Sequence, residues 1–275
     1  MQIKVLEYNL LMGLHTNPRE GPVKLEQDRV DAARKVVRQE QPDIVVLVEA
    51  CDAQSNDHGI DVNYRELFNL PNYFYGTYSH THKHGNAVLS RFPIMRTQNH
   101  SLEKRKFIRA AIDLEGTLLH VDVTHPHCHL SEAEKISFFQ DIFQDMPQKR
   151  YVLAGDFNSY TEGDRERARD EYVKKFNEFI PDSERAAALV DDLLSCKAMT
   201  KLARSGLVDT FRAIHPTERV FTMPTDLINR DKSTAERIDY IFCSPDIRVI
   251  DAGIIRTPAT ERASDHHPIY AVLEV

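Results

Sequence analysis

Several common features are missing from this sequence of 275 residues, and each absence narrows the possibilities. No apolar run approaches the ~20 residues that a helix needs to span a bilayer, so we expect no membrane span. The first residues lack the basic, apolar and small-residue series of a secretory signal. The four cysteines form no CxxC pair, which argues against a disulfide framework and favours a reducing compartment. We therefore expect a cytoplasmic protein.

The sequence also has no run of basic residues, and its formal net charge is −7. Proteins that hold long stretches of duplex usually present a basic surface, because counterion release drives that binding. The charge therefore lowers the expectation of tight nucleic-acid binding, although a local basic patch is compatible with an acidic protein. With 41% hydrophobic and 28% charged residues, the composition is that of an ordinary folded protein.

There is no internal repeat, low-complexity tract or linker rich in Gly, Pro or Ser. Apolar runs and period-2 patterns predict strands mixed with helices from end to end, which indicates an α/β protein. The predicted strands are Ile3–Leu11, Asp43–Val48, Tyr73–Tyr78, Ala87–Ile94, Phe107–Leu114, Leu118–Thr124, Tyr151–Ala154, Ile238–Cys243 and Ile269–Val275. We expect one continuous domain, 1–275, with a helical insertion at 159–206.

Two further helices are predicted from local signals. Leu25–Gln39 has apolar residues at helical spacing and ends near Pro42. Ser131 followed by Glu134 forms a capping box that opens the helix Glu132–Met146. The apolar positions that we expect to be buried are Val30, Ala33 and Val37 in the first helix and Ile136, Phe139 and Phe143 in the second.

Acidic and amide residues recur at the ends of the apolar strands, where a carboxylate would lie at the rim of a sheet. These residues are Asn9, Glu49, Asp156, Asp239 and Asp265. A single acid in such a place is usually a solvated strand end. A whole set, each member in a specific local motif, favours a cluster that could hold a cation.

The motif GDFN, residues Gly155–Asn158, follows an apolar strand. Glycine allows the backbone to turn tightly and to approach a ligand. Asp156 and Asn158 would then place an acceptor and a donor on the same side of an extended chain. The alternative is an Asx turn at the strand end.

Histidines accompany these acids. The motif SDHHP places Asp265 next to His266, and only an irregular loop could orient both side chains into one site. Asp239 in RIDY could orient a histidine through its other ring nitrogen, as the acid of a catalytic triad does. His125 in THPH follows another strand, with a surface position as its alternative. A neutral histidine can accept a proton near pH 7, which suits it to activating water.

Taken together, these motifs resemble the endonuclease/exonuclease/phosphatase superfamily, which has the DNase I-like fold. The matching segments, in chain order, are YNLL, PDIVVLVEA, GNAVLSRFPI, LLHVDVTH, VLAGDFNS, RIDYIF and SDHHPIYAVL. The segment SGLVDTFRAIHP is also similar to the stretch between GDFN and RIDY in the exonuclease III branch. The resemblance covers nearly the whole chain and implies a four-layer α/β/β/α sandwich, with the site where the two sheets open at one edge.

The resemblance also implies a role for each residue. Glu49 would be the principal Mg²⁺ ligand, with Asn9 and Asp265 assisting, and we expect Mn²⁺ to substitute for Mg²⁺. Mg²⁺ prefers hard oxygen ligands, so one or two carboxylates suffice. The implied catalytic residues are Asp156 and Asn158, which would bind and polarise the scissile phosphate or the attacking water; His266, oriented by Asp239, as acid/base or phosphate contact; and His125 as donor to a phosphate oxygen. Whether Asp156, Asn158 and His266 hold a second metal ion is left open.

The implied activity is hydrolysis of a phosphodiester by in-line attack of water, and a nuclease, endo or exo, is the leading hypothesis. The alternative is a phosphatase or phosphodiesterase for small molecules or lipid headgroups, which the acidic charge and the absence of tryptophan favour. Leu11 stands where the abasic-site branch often has an acid, which argues against that branch. A non-catalytic binding module would have lost ligands that this sequence retains. No protein partner is evident.

Two histidine-rich patches admit a zinc interpretation, because imidazole and thiolate are zinc ligands. They are His80/His82/His84 and His125/His127/Cys128/His129. Their spacing lacks the paired ligand knuckles of structural zinc sites, so surface or substrate-facing positions are the favoured interpretation. His84 could reach the cleft. Arg109 could meet phosphate, although an arginine at a strand edge is usually solvated.

Overall fold

The computed structural model describes residues 1–17, 23–51, 62–78, 84–100, 107–163, 169–228 and 235–275. Its strands are β1 (Gln2–Asn9), β2 (Ile44–Cys51), β3 (Asn72–Thr77), β4 (His84–Ser90), β5 (Ile94–Asn99), β6 (Phe107–Leu114), β7 (Thr117–Thr124), β8 (Tyr151–Asp156), β9 (Val208–Asp209), β10 (Asp239–Cys243), β11 (Arg248–Ile254) and β12 (Ile269–Glu274). Its α-helices are α1 (Gln27–Glu40), α2 (Tyr64–Phe68), α3 (Glu132–Gln144), α4 (Arg169–Asn177), α5 (Ser183–Leu193), α6 (Lys197–Ala203), α7 (Thr210–Ile214) and α8 (Thr260–Ala263).

The strands form two six-stranded sheets. The order in the first is β11-β12-β1-β2-β4-β3, and the order in the second is β5-β6-β7-β8-β10-β9. Each sheet has one parallel pair at its centre, β1 with β2 and β7 with β8, and its other pairs are antiparallel. The carboxyl ends of parallel strands meet at one edge, so each sheet presents a pair of strand ends on the same side.

The two sheets pack face to face over a core of alternate, inward-facing residues. That core includes Val5, Val46, Val48 and Val88 from the first sheet and Ile108, Val121, Val152 and Ile241 from the second. Helix α1 covers the outer face of the first sheet, and helices α3 and α6 cover the outer face of the second. The expected four-layer α/β/β/α architecture is therefore confirmed.

The N-terminal helix confirms its predicted face. Val30, Ala33 and Val37 are all buried against the first sheet. The helix begins at Gln27 rather than Leu25, because Leu25 pairs with His15 in an isolated bridge. It ends at Glu40, and the C-cap residue Gln41 adopts a left-handed conformation directly before Pro42.

Helix α3 begins with the predicted capping box, in which Ser131 and Glu134 each accept from the other's backbone amide. Its predicted apolar face was only partly right. Phe139 is buried as expected, whereas Ile136 and Phe143 lie at the margin of the core. The buried stripe consists of Glu132, Lys135, Phe138, Phe139 and Ile142. These positions follow the 3.6-residue period, but a charged lysine among them hides the pattern from sequence analysis.

The strand predictions failed mainly at sheet edges. The run Ala87–Ile94 is not one strand, because β4 ends at Ser90 and β5 begins at Ile94 in the other sheet. Pro93 lies between them and cannot donate to a ladder. Strand β5 is largely exposed, and β11 carries a register shift between Val249 and Asp251, so neither shows clean alternation.

Helices α4, α5 and α6 lie in the segment for which helical sequence was expected. Met199 and Leu202 of α6 pack with Phe139 and Tyr151 over the second sheet. The assignment of 159–206 as an insertion in one continuous domain stays a prediction. Within the described ranges, every helix is too short or too polar to cross a lipid bilayer.

Candidate active site

Strand ends from both sheets meet at one edge of the sandwich. Asn9 ends β1, Glu49 lies near the end of β2, and Asp156 ends β8. Strand β10 runs antiparallel to β8, so its first residue, Asp239, pairs directly with Asp156. The segment before β12 brings in Asp265 and its histidine neighbour at the same edge. Topology thus assembles residues that are far apart in sequence.

A β-bulge aims Glu49 into the space between the sheets. Val46 and Val48 of β2 face the inter-sheet core, while Leu47 and Ala50 face α1. Strict alternation would turn Glu49 toward the helix with Leu47. The ladder with β4 instead shifts register between Leu47 and Ala50, and Glu49 adopts a φ of 54°. Bulges re-aim side chains in this way, and a non-glycine residue in this conformation is strained.

Short hydrogen bonds fix Glu49 and Asn9 in relation to each other. Oε2 of Glu49 accepts from the Met12 amide at 2.8 Å, and Oδ1 of Asn9 accepts from the Leu11 amide at 2.9 Å. The amide nitrogen of Asn9 donates to Oδ2 of Asp156 at 3.2 Å across the two sheets. The turn after β1 therefore holds both proposed metal ligands and connects them to the second sheet.

The GDFN segment differs from the extended chain that the sequence suggested. Gly155 is still within β8, and a Cβ there would lie 2.0 Å from the carbonyl oxygen of Thr124, so glycine allows the neighbouring strand to approach rather than a turn. Asn158 has a φ of 45°, and its amide donates to Oδ1 of Asp156 at 2.8 Å. Its side chain donates to the Pro126 carbonyl at 3.0 Å. The side-chain-to-amide contact of an Asx turn is thus present within the site.

Asp239 and His266 form a buried pair. Nδ1 of His266 lies 2.8 Å and 3.1 Å from the two carboxylate oxygens of Asp239. This contact leaves Nε2 directed toward the other acids, 3.9 Å from Oδ2 of Asp156 and 3.9 Å from Oδ1 of Asp265. His266 and Asp265 lie in the irregular segment before β12, which orients both side chains to one side as expected.

His125 completes the ring of side chains around Asp156. Its Nε2 lies 3.4 Å from Oδ2 of Asp156 and 3.9 Å from Oε1 of Glu49. Its Nδ1 lies 2.7 Å from Oη of Tyr78, which also accepts from the Glu49 amide and donates to Asn86. His125 is buried rather than solvated. A hydrogen-bonded chain through Tyr78 therefore links the histidine to the backbone of the bulge.

The acids and histidines shift one another's ionisation. Burial raises the pKa of Glu49, but His125 and the Met12 amide more than offset this effect, so its pKa is lowered. Burial likewise opposes ionisation of Asp156, yet its contacts with His125 and His266 lower its pKa. Burial lowers the pKa of His266, but Asp239 and Asp265 outweigh it and raise that pKa well above its usual value. The site thus stabilises carboxylates beside an imidazolium.

The donor set fits a bound divalent cation. Burial raises the pKa of Asp265, and repulsion from the Glu49 carboxylate adds to the rise. Asp156, Asp239 and His266 also offer one ligand atom each within 4.8 Å of one another. Hard oxygen donors of this kind suit Mg²⁺ and Mn²⁺.

Several residues at the site were missed by sequence analysis. Glu7 is fully buried beneath the cluster, and neither carboxylate oxygen has a hydrogen-bond partner among the described residues. Burial and the neighbouring Asp239 and Asp156 raise its pKa well above the usual value. The sequence signal that could have identified Glu7 was its position on the inward side of β1, two residues before Asn9. Tyr78 lies at the end of a predicted strand, in a position that gave no chemical signal.

Arg29 is a buried scaffold for the site that sequence analysis also missed. From α1 its guanidinium donates to the carbonyls of Leu10, Leu11 and His15 and to that of Ala263. It thereby connects the turn after β1 to the segment that carries Asp265 and His266. An arginine on an amphipathic helix is ordinarily solvated, so the sequence offered no signal.

The remaining residues that the sequence analysis considered are one arginine and three histidines. Arg109 is buried and forms a bidentate ion pair with Asp122 at 2.8 and 2.7 Å, so the alternatives of phosphate contact and simple solvation were both wrong. His84 lies within electrostatic reach of Glu49, whose pKa it helps to lower. His80 and His82 lie outside the described residues.

Comparison with known proteins bears on the fold and on the family of the chain. A family model described as Endonuclease/Exonuclease/phosphatase family matches residues 6–266. An AP endonuclease from Archaeoglobus fulgidus superposes with a TM-score of 0.66 at 18% identity, covering 99% of this chain and 100% of that chain. An endonuclease/exonuclease/phosphatase from Bacteroides vulgatus gives a TM-score of 0.67 at 14% identity, covering 100% and 99%.

D. rerio TDP2, complexed with a single-strand DNA product, gives a TM-score of 0.64 at 17% identity and covers 100% of this chain and 99% of that chain. No curated protein matches the sequence significantly. The likeness to solved structures shows the shared fold, and the family model matches nearly the whole chain. This chain belongs to the endonuclease/exonuclease/phosphatase family.

Proposed function

We propose that this chain is a Mg²⁺-dependent phosphodiester hydrolase, with a nuclease as the leading candidate. The observation that carries the proposal is the environment of Asp156. Its carboxylate accepts from Asn9 and the Asn158 amide and lies 3.4 Å from Nε2 of His125 and 3.9 Å from Nε2 of His266. A buried carboxylate surrounded by donors and histidines suits the handling of water next to a phosphate.

The residues divide into distinct roles. Asp156 orients and activates the attacking water, since its pKa is held low enough to keep it ionised. His266, fixed through Nδ1 by Asp239, presents a protonated Nε2 to a phosphoryl or leaving-group oxygen. His125, whose Nδ1 lies 2.7 Å from Oη of Tyr78, presents Nε2 to the same space as a further contact for a phosphoryl oxygen. Charge that develops on the phosphoryl oxygens thus meets donors already in place.

Asn158 has a more limited role than the resemblance implied. Its side-chain amide donates to the Pro126 carbonyl, and Lys135 donates to its own carbonyl. We assign it the positioning of Asp156 and of the loop that carries His125. Direct contact with phosphate through its remaining amide hydrogen is compatible with this geometry.

Glu49, Asn9 and Asp265 would hold the cation, and we expect Mn²⁺ to substitute for Mg²⁺. When bound, such a cation neutralises charge on phosphoryl oxygens and increases the acidity of coordinated water. The repulsion between Glu49 and Asp265 supports this assignment, because a cation would relieve it.

Two observations bear on the substrate class, and each favours a different class. The solved relatives include an AP endonuclease and a protein bound to a single-strand DNA product, which favours nucleic acid. The net charge of −7 favours a small-molecule or lipid-headgroup phosphoester, for which no long basic surface is needed. The second candidate function is therefore a phosphatase or phosphodiesterase at the same site.

A hydrolysis panel with Mg²⁺ tests the proposal. Its substrates are single-stranded DNA, duplex DNA with and without an abasic site, RNA, bis-p-nitrophenyl phosphate, p-nitrophenyl phosphate and sphingomyelin. Wild type, Asp156→Asn and the matched exposed control Asp31→Asn are compared. We expect cleavage of a nucleic acid that is lost in Asp156→Asn and retained in Asp31→Asn.

Turnover confined to the small esters or to sphingomyelin would transfer the assignment to the second candidate. Equal activity in Asp156→Asn and wild type would overturn the proposed role of Asp156. If no substrate were hydrolysed with either Mg²⁺ or Mn²⁺, the result would count against hydrolysis of phosphodiesters altogether.

A further inference from the structure

A turn next to the active site brings together three side chains that the proposed function does not use. Residues 127–130 follow His125 and Pro126, and the Leu130 amide donates to the His127 carbonyl at 3.1 Å. This turn folds the tripeptide His127-Cys128-His129 back on itself. Each of the three residues offers one ligand atom, and these atoms lie within 4.8 Å of one another.

The distances suit a small, soft cation. In a tetrahedral zinc site with Zn–S of about 2.3 Å and Zn–N of about 2.05 Å, sulfur and nitrogen lie roughly 3.6 Å apart. Nδ1 of His127 and Sγ of Cys128 are 3.8 Å apart. The rings of His127 and His129 meet edge to face with centroids 4.8 Å apart. Only small side-chain rotations would close the three donors around one ion.

The surroundings leave the donors in a usable form. Nδ1 of His127 accepts from the His129 amide at 3.1 Å, so it presents a lone pair rather than a proton. An ion at Nδ1 would replace that hydrogen bond. His129 also lines a cavity of about 520 Å³ beside α5, which gives an ion access.

We propose that His127, Cys128 and His129 form a three-ligand site for a borderline or soft divalent cation, with Zn²⁺ as the best match and a fourth position open to water. Imidazole and thiolate select zinc over magnesium, whereas the oxygen-rich active site selects the reverse. Pro126 lies between this turn and His125 and accepts from Asn158, so a bound ion would brace the loop that carries His125.

Cobalt provides a readout specific to the thiolate. Metal-free protein is titrated with Co²⁺, and absorption is followed for the sulfur-to-cobalt charge-transfer band in the near ultraviolet. We expect one thiolate-bound ion per chain, displaced by Zn²⁺ and not by Mg²⁺. Cys128→Ser should abolish the band, and His129→Ala should weaken Co²⁺ affinity by about tenfold or more, since each lost ligand costs at least ~1.4 kcal/mol.

Two controls separate this proposal from the proposed hydrolase function. Glu49→Gln alters the oxygen-rich site and should leave the charge-transfer band unchanged. His120→Ala removes a half-buried histidine on β7 and should leave it unchanged as well. Thermal midpoints of all variants check that each is folded. A wild type without the band, or a band that persists in Cys128→Ser, would overturn the proposed site whatever the hydrolysis panel shows.

Discussion

Two buried polar clusters in this chain follow opposite designs. On the second sheet, both carboxylate oxygens of Asp122 accept from the Nε–Nη2 edge of the Arg109 guanidinium, and Oδ2 also accepts from Tyr151 at 2.8 Å. Nη1 of Arg109 donates to the Asp145 carbonyl. The single positive charge of this cluster is matched by its single negative charge, and its hydrogen-bond donors have acceptors. A buried pair of this kind tolerates no loss of a partner, because the remaining charge would be stranded.

The active-site cluster is unbalanced by comparison. Within the part of the chain that the structure describes, it collects the acids Glu7, Glu49, Asp156, Asp239 and Asp265 around the histidines His125 and His266. Several of its contacts lie at 3.4–3.9 Å rather than at hydrogen-bond distance. Such an excess of negative charge is unfavourable in an isolated protein. A buried cluster with matched charges thus stabilises the fold, whereas a cluster with unmatched negative charges leaves room for a cation and a substrate.

Replacement of His266 is expected to have the largest effect on activity. His266→Ala removes the protonated Nε2 that faces Asp156, so turnover should fall by about 10³- to 10⁴-fold while substrate affinity changes little. Steady-state kinetics on the substrate found by the panel, with His120→Ala as control, measures this. A change confined to affinity would contradict the acid/base assignment.

Breaking the matched cluster should instead affect stability. Arg109→Met leaves Asp122 buried without its partner, so we expect a loss of about 3–5 kcal/mol in the free energy of unfolding. Arg109→Met/Asp122→Leu should recover part of that loss, since both charges are then absent. Denaturant titration measures both variants. If the two variants were equally unstable, the pair would not act as a unit.

A further buried charge lies beside the active site, where Lys135 of α3 donates to the Asn158 carbonyl. Burial lowers its pKa from the usual 10.5 to about 8. Between these values the unfolded chain binds more protons than the folded one, so stability should increase as pH rises through this window. We expect wild type to gain roughly 1–2 kcal/mol between about pH 7 and pH 9.5 relative to Lys135→Met.

Unfolding curves across this pH range provide the measurement. The exposed variant Lys201→Met serves as the control and should follow wild type. Parallel pH profiles for wild type and Lys135→Met would show that this lysine is not held with a lowered pKa.

The smallest effect is expected from the cation itself. At concentrations one to five times its dissociation constant, Mg²⁺ should stabilise the protein by roughly 0.4–1.1 kcal/mol, because the acidic cluster that would bind it is assembled only in the folded chain. Thermal midpoints with and without Mg²⁺ test this in wild type and Glu49→Gln. The gain should be reduced or lost in Glu49→Gln; an equal gain in both would remove Glu49 from the metal site.

Much of the fold could be predicted because its signals are local. The buried strands are apolar over their length, Ser131 and Glu134 mark the start of α3, and Val30, Ala33 and Val37 mark the inner face of α1. Edge strands β5 and β11 carry weaker patterns, because one side of them is solvated or their register shifts. Local rules therefore identified the central strands of both sheets and the edge strand β3, and missed the edge strands β5, β9 and β11.

The chemical identity of the site residues was likewise present in the sequence, since acids and histidines ended apolar strands in recognisable motifs. The direction in which these side chains point was not present in the sequence. Glu49 faces the cluster only because a bulge breaks the alternation of β2, and Asn158 turns back on Asp156 through a left-handed conformation. These conformations depend on contacts with other strands, which no local pattern encodes.

The sequence by itself determined the α/β class, the family and the set of polar strand ends, because periodicity and motif order are properties of the chain alone. Only the tertiary structure decided which charges meet. It paired Arg109 with Asp122, placed Glu7 beneath the acids, and brought Arg29 to the turn that holds Asn9. Burial and distance set the energy of a charge, and both arise only when remote strands pack together.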